Sequence, residues 1–261
     1  MVSMKTGNTP QHPGATPGHD AGHAPSAATG AGTGTGTGAD QASGNGQASG
    51  NGQASGNGRA SGNAAPNRRS WRVVDIVVAA VIAVASGVIF WAWNLAYAGL
   101  SPAFAAFPPS SALVAGMWLF PAVLGGLIIR RPGAALFTEL VAATVSALLG
   151  SQFGLTVLAS GVVQGLGAEL ILLAFLYRRF TLPVALLAGL LTGIFGGIND
   201  AFIFNWFPEY TLDWKLIYVG LVGVSGLVIA GLLSWLATRG LAATGALSAL
   251  ASRRAHQEPV A

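Results

Sequence analysis

The chain has 261 residues, 52% of them hydrophobic and only 8% charged, with 37 glycines and no cysteine. Soluble domains carry about 25% charged residues, and the polar residues here crowd into the first 67 positions, so the remainder is membrane protein by composition. The lack of cysteine excludes a disulfide framework and thiol chemistry, and the net charge of +4 does not indicate nucleic acid, because Lys and Arg sit at the ends of apolar segments rather than in a patch interleaved with exposed aromatics.

Residues 1–67 are mostly Gly, Ser, Ala, Thr, Asn and Pro, with the unit QASGNG at 41, 47 and 53 and an altered copy, RASGN, at 59. Such a segment has too little to bury to offset the entropy of ordering, so it is expected to be a disordered, low-complexity cytoplasmic tail. It has no apolar h-region and does not read as a secretory signal. His19 and His23 flank Asp20, but no helix presents them and no further ligands follow, so a solvated tail outweighs a metal site.

From Trp71 onward six apolar segments follow, at about 73–96, 111–129, 132–150, 154–177, 182–205 and 214–237. Most approach the ~20 residues that cross a bilayer as helix, and none shows the alternation of a barrel strand. The expected fold is all-α: a six-helix transmembrane bundle over 68–240, followed by a cytoplasmic C-terminal tail, 241–261. Pro132 and Pro183 fall where helices should start, where a missing N–H costs nothing. Arg68, Arg69 and Arg72, then Arg130 and Arg131, Arg178 and Arg179, and finally Arg239, Arg253 and Arg254 all fall in alternate connections. The positive-inside rule makes that side cytoplasmic, with both termini inside a plasma-membrane protein. Trp71, Tyr177 and Trp235 then mark the inner interface, and Trp91, Trp93, Tyr97, Trp206 and Trp214 the outer one.

Ionisable groups inside hydrocarbon are costly and are functional candidates by default. Here they are Glu139, Glu169 and Asp200, with Gln164 and Asn199 as uncharged companions. At ~1.5 Å per residue, Glu139 lies about 10 Å and Glu169 about 12 Å from the inner end, while Asn199 and Asp200 lie about 8 Å from the outer end. Glu139 shares a face with Ala135, Ala143 and Ser146, Glu169 with Gly161 and Gly165, and Asp200 with Gly193, Gly196 and Gly197. Small faces permit close helix approach or leave room for a ligand. Packing and function weigh about equally for Glu169, and function is favoured for Glu139 and Asp200. Trp118, Phe195 and Phe204 read more readily as core than as a ligand cage. Ala79, Ala83 and Gly87 form a small-xxx-small ridge on the first segment, suited to packing in the bundle or to docking another membrane subunit.

No GxxxxGK[ST] phosphate cradle is present. GVSG, Gly223 to Gly226, matches a short intramembrane serine-protease motif, but all four histidines lie in the tails, so no base is within reach.

"RRPGAALFTELVAATVSALLG", Arg130 to Gly150, followed by "GVVQGLGAEL", resembles the YkoE-type substrate-binding (S) component of energy-coupling factor (ECF) transporters, and the resemblance extends over about Trp71 to Gly240. It implies a non-enzymatic subunit of an ABC-type importer for thiamine or hydroxymethylpyrimidine. Such a subunit binds at an outward-opening cavity and is served by a transmembrane coupling (T) protein and two cytoplasmic ATPases. It further implies that ATP is used only by those partners, with no cofactor here, and that Ala79 and Ala83 match an AxxxA motif that meets the coupling protein. On that reading Glu139 and Asp200 anchor a cationic or aminopyrimidine ligand, Gln164 and Asn199 assist, Glu169 belongs to the polar set, Trp118 is a platform, and residues 97–110 are a lid with Phe104 and Phe107 as cover. The competing readings are a solitary proton-coupled carrier relaying through Glu139 and Glu169, and a structural assembly protein whose acids only hold helices together.

Overall fold

The computed structural model describes residues 70–261, so the repeat tail and its histidines at 19 and 23 lie outside the described residues. Among those described, every regular element is helical. The elements are α1 (Val73–Leu100), α2 (Phe120–Ile129), α3 (Ala134–Leu148), α4 (Thr156–Ala174), α5 (Leu182–Ile198), α6 (Leu212–Ser225) and α7 (Leu233–Ala243). A 3₁₀ turn (Ser101–Phe104) extends α1, a longer 3₁₀ stretch (Pro108–Trp118) precedes α2, and a π turn (Asn199–Ile203) extends α5. A further π stretch (Gly226–Leu232) fuses α6 to α7. Five of the resulting rods have the length and apolarity to cross a membrane. The sixth, α3, is apolar but has only 15 residues, about 22 Å of helix, short of the ~30 Å hydrocarbon core.

The expected single helix over 111–129 is broken at Leu119. Pro121 supplies the reason. It has no N–H, and its ring would clash with the carbonyl four residues back, so a helix cannot run through it but can begin beside it. The break puts irregular backbone at membrane depth, which is tolerated only where neighbouring groups satisfy it. Ser225 donates to Leu113 O (2.7 Å) and accepts from Gly116 N (2.9 Å), and Ser234 donates to Phe120 O (3.2 Å). The serine of the GVSG motif is thus a bracket for the broken helix. On the other side, Gly189 and Gly193 of α5 lie against the backbone of Val222, Gly226 and Gly231 so closely that a methyl group would not fit.

The arginine-bearing connections do share one end. Arg131 and Arg72 both bind the buried Asp75 (3.0 and 2.9 Å), and Arg130 makes a two-bond pair with Glu258 (2.5 and 2.7 Å). Arg130 itself has φ +59° and ends α2, a left-handed position held by its own Nε–H to Leu127 O (3.1 Å). The C-terminal segment folds back onto this end. Ser252 donates to Ile128 O, Leu182 N–H donates to Val260 O, and Arg239 donates to the carbonyls of Ala255, His256 and Glu258. Leu247, Leu250 and Ala255 are buried against Ala79, Ile128, Ile129 and Ala134. The residues beyond 243 are therefore a packed cap.

Candidate functional site

A cavity of about 220 Å³ lies between the broken second rod and the facing helices. It runs from the loops at the arginine-free end to the middle of the bundle. Its polar wall carries Asn94, Glu139, Gln164 and Asp200, and its aromatic wall Tyr97, Trp118, Phe153, Trp206, Phe207 and Tyr218.

Glu139 holds its place because the helix beside it is broken. Ala122 is the third residue of α2, so its N–H has no partner in its own helix. It donates to Glu139 Oε2 at 2.8 Å. The carboxylate therefore sits at the positive end of a half-helix inside the membrane, the arrangement that favours anionic groups there. The other oxygen, Oε1, is buried and has no hydrogen-bond partner among the described residues. A fully buried carboxylate oxygen without a donor is unfavourable unless something completes it.

Asp200 lies in the π turn that ends α5, a distortion often found at functional sites. Its Oδ1 accepts from Asn199 Nδ2 (3.1 Å) and its Oδ2 from Tyr218 O–H (3.4 Å). Asn199 is buried but does not line the cavity, contrary to the expectation of a direct contact. Its amide spans Asp200 and Ser160 Oγ (2.9 Å), so it positions Asp200 against α4. Gln164 does line the cavity, and Gly196 lies beside it and Leu119 in the same wall.

Trp118 is in the wall as expected, edge-on to Tyr97 (5.1 Å) and Phe153 (6.1 Å). Its indole N–H donates to Asn94 Oδ1 (2.9 Å), and Asn94 Nδ2 donates to Ser151 Oγ (3.2 Å). Asn94 was missed in the sequence because its neighbours, Trp91, Trp93 and Tyr97, read as an interfacial belt. An amide in the middle of an apolar helix was the available signal. Phe195 and Phe204 do not line the cavity. The lid expectation also needs correction. From 97–110 only Tyr97 reaches the wall, with Phe104 stacked on it (6.3 Å), while Phe107 packs on Trp214. The aromatic cover comes from the other two loops at that end, where Phe153 meets Trp206 at 5.5 Å.

Two further candidates lie away from the cavity. Glu169 does not line the cavity. It caps α3 from the neighbouring helix, accepting from Gly133 N (2.5 Å), Ala135 N (3.0 Å), Leu136 N (3.3 Å) and Tyr177 O–H (2.5 Å). Both oxygens are occupied by the orphan donors of a helix N-terminus, which is a structural role. Ala79, Ala83 and Gly87 are buried, and Gly87 packs on Ala142 and Val145 of α3, so in this chain the ridge faces into the bundle. Among the described residues no group of three or more His, Cys, Asp or Glu is arranged to hold a metal.

One acid with an unpartnered oxygen, a second acid held by neutral donors, two amides and several ring faces suit a small, flat ligand with cationic or N–H donor character. The family described as "ABC-type cobalt transport system, permease component" matches residues 74–195. The chain is 36% identical over 186 residues to a Bacillus subtilis (strain 168) protein named as the candidate HMP/thiamine permease protein YkoE, covering 70% of this chain and 90% of that one. A crystal structure titled as an S-component of an ECF transporter superposes with a TM-score of 0.67 at 34% identity, covering 72% of this chain and 94% of the other.

Proposed function

Because the chain belongs to the YkoE family of ECF-transporter S components, we propose that it captures thiamine or its hydroxymethylpyrimidine precursor and delivers it to an ATP-driven importer. The observation that carries the substrate reading is Glu139 Oε1, a buried oxygen facing a cavity without a partner. A thiazolium cation or an aminopyrimidine N–H would complete it, and desolvation of the acid would then be offset only when such a ligand is present. Asp200, fixed by Asn199, is the second anchor, Gln164 a further hydrogen-bonding group, and Trp118 the ring platform.

The arginine-bearing end faces the cytoplasm of a plasma-membrane protein on this reading, which puts the cavity mouth and its aromatic cover outside. The sequence has no phosphate cradle, so hydrolysis falls to partner ATPases acting through a transmembrane coupling protein. The proton-relay alternative loses support from Glu169, whose oxygens are engaged by α3 and Tyr177 rather than directed at the cavity. Calorimetric titration of the purified chain with thiamine and with hydroxymethylpyrimidine tests the substrate, alongside Glu139→Gln and Asp200→Asn. Tight binding lost in a folded variant is the expected result. No heat with either ligand would sink the substrate assignment, and failure to copurify with a coupling protein and ATPases would sink the assembly.

A further inference from the structure

A second cavity, also of about 220 Å³, lies at the arginine-bearing end and is lined by Arg72, Arg131, Arg253 and the 249–251 backbone segment. Two of the three guanidiniums, those of Arg72 and Arg131, bind one buried carboxylate. Asp75 takes Arg131 Nε on Oδ2 (3.0 Å), Arg72 Nη2 on Oδ1 (2.9 Å), and the Arg72 backbone N–H on Oδ2 (3.0 Å). Arg72 also donates to Ala249 O (3.0 Å), which ties the cap to the cavity wall. Arg253 is exposed, and its guanidinium makes no hydrogen bond among the described residues. Arg253 thus adds, at the wall of the recess, a third guanidinium that Asp75 does not hold.

The position of the recess indicates the source of that anion. It opens where α1 begins, and the first turns of α1 present Val73, Ile76 and Val77 outward, 47–78% exposed. Trp71, half-buried next to Arg72, donates its indole N–H to Pro132 O (2.9 Å), which ties the start of α1 to the α2–α3 connection. Acyl chains lying along Val73 and Val77 would bring a headgroup phosphate level with Arg72 and Arg253. Basic pockets at helix ends are a recurring means of holding anionic lipid headgroups. We infer that this three-arginine recess binds the phosphate of an anionic phospholipid at the bundle's edge, holding the C-terminal cap and the start of α1 together. The inference does not depend on the transport reading.

The test uses the full chain in nanodiscs of phosphatidylcholine with increasing phosphatidylglycerol, reading the thermal midpoint and, by native mass spectrometry, retained lipid. Arg253→Gln should weaken phosphatidylglycerol retention about five-fold, the equivalent of ~1 kcal/mol for one basic residue near an anionic surface. Arg254→Gln removes the same charge one position away, outside the recess, and should leave retention unchanged. Equal losses in both variants would mean diffuse surface attraction and would overturn the site. A shift produced by inorganic phosphate as large as that by phosphatidylglycerol would overturn the lipid as its source, and no response to either would overturn both.

Discussion

Glu139 accepts the backbone N–H of Ala122 at 2.8 Å with one oxygen and presents the other, unpartnered, to the cavity. The two oxygens do separate jobs, and substitutions should separate them. Gln at 139 keeps a carbonyl oxygen for Ala122 but removes the charge. Glu139→Gln should therefore fold and lose ligand affinity by roughly 10- to 100-fold, the worth of a hydrogen bond to a charged group, ~1.5–3 kcal/mol. Glu139→Ala loses both jobs and should also unfold ~1–3 kcal/mol more easily, because Ala122 N–H is left buried and unmet. Calorimetry and thermal unfolding on the same samples would separate the two effects. Equal affinities for wild type and Glu139→Gln would remove Glu139 from the binding site.

Glu169 gives the contrasting case. Four donors converge on it, three of them backbone N–H groups at the start of α3. Glu169→Ala should lower stability by about 3 kcal/mol or more, since several buried donors lose a charged acceptor at once. The fraction that remains folded should bind ligand with wild-type affinity. A variant of normal stability and abolished binding would reverse the assignment.

These two glutamates show what a single sequence can and cannot disclose. Both lie in apolar segments on faces of small residues, and nothing local distinguishes them. What does is tertiary: Glu139 meets a helix start created by Pro121 in another rod and keeps one oxygen over, whereas Glu169 meets the α3 start and keeps none. The arrangement of the bundle was more legible, because Arg130, Arg131 and Arg239 cannot rest in hydrocarbon and so fix which ends of the helices gather. Pro121 was visible but lay inside an otherwise unbroken apolar run, which concealed the break at Leu119. The C-terminal cap was hidden for a different reason. Its apolar residues, Leu247, Leu250 and Ala255, are too few to show a period, and their burial depends on Ile128 and Ile129 at the end of α2.

Trp118 is held edge-on among rings and by its N–H to Asn94. Trp118→Phe retains a ring but leaves Asn94 Oδ1 without that donor, so ligand affinity should fall modestly, by about two- to five-fold. Trp118→Ala removes the platform itself and should cost roughly 2- to 30-fold, the range of a cation–π contact from exposed to desolvated, ~0.5–2 kcal/mol. Tryptophan fluorescence on ligand addition offers an independent readout, since quenching that survives in Trp118→Phe would place the ligand against Trp206 instead.

The close passage of α5 against the π stretch rests on glycine. A methyl group at Gly189 would meet the carbonyl of Gly226 and the backbone of Gly231, neither of which can move aside as a side chain does. Gly189→Ala should therefore be destabilising by ~1–3 kcal/mol, the usual cost of overpacking. Gly220→Ala, on α6 with nothing within 4 Å of the added atom, serves as the control and should be neutral or slightly stabilising, because alanine is the better helix former by about 1 kcal/mol. Equal effects of the two would mean that the helices do not pass this closely.

The C-terminal cap makes the last prediction. Truncation after Ala243 strips the cover from Ala79, Ile128, Ile129 and Ala134, and removes Glu258 from Arg130. Among the described residues Arg130 then keeps its own Leu127 carbonyl as hydrogen-bond partner at a left-handed turn, beside the Phe180 ring it overlies at 4.4 Å. Burying three apolar side chains of the cap against the bundle is worth several kcal/mol at ~25 cal/mol per Å², so the truncated chain should unfold at markedly lower temperature. Glu258→Gln should account for only a small part of that loss, because the carboxylate is about one-third exposed and screened. The cavity lies at the opposite end of the bundle, so ligand affinity at a temperature where the truncated chain is still folded should be unchanged. A truncation that left the unfolding temperature untouched would mean that the segment only rests on the bundle, and the recess at Arg72, Arg131 and Arg253 would lose its fixed wall with it.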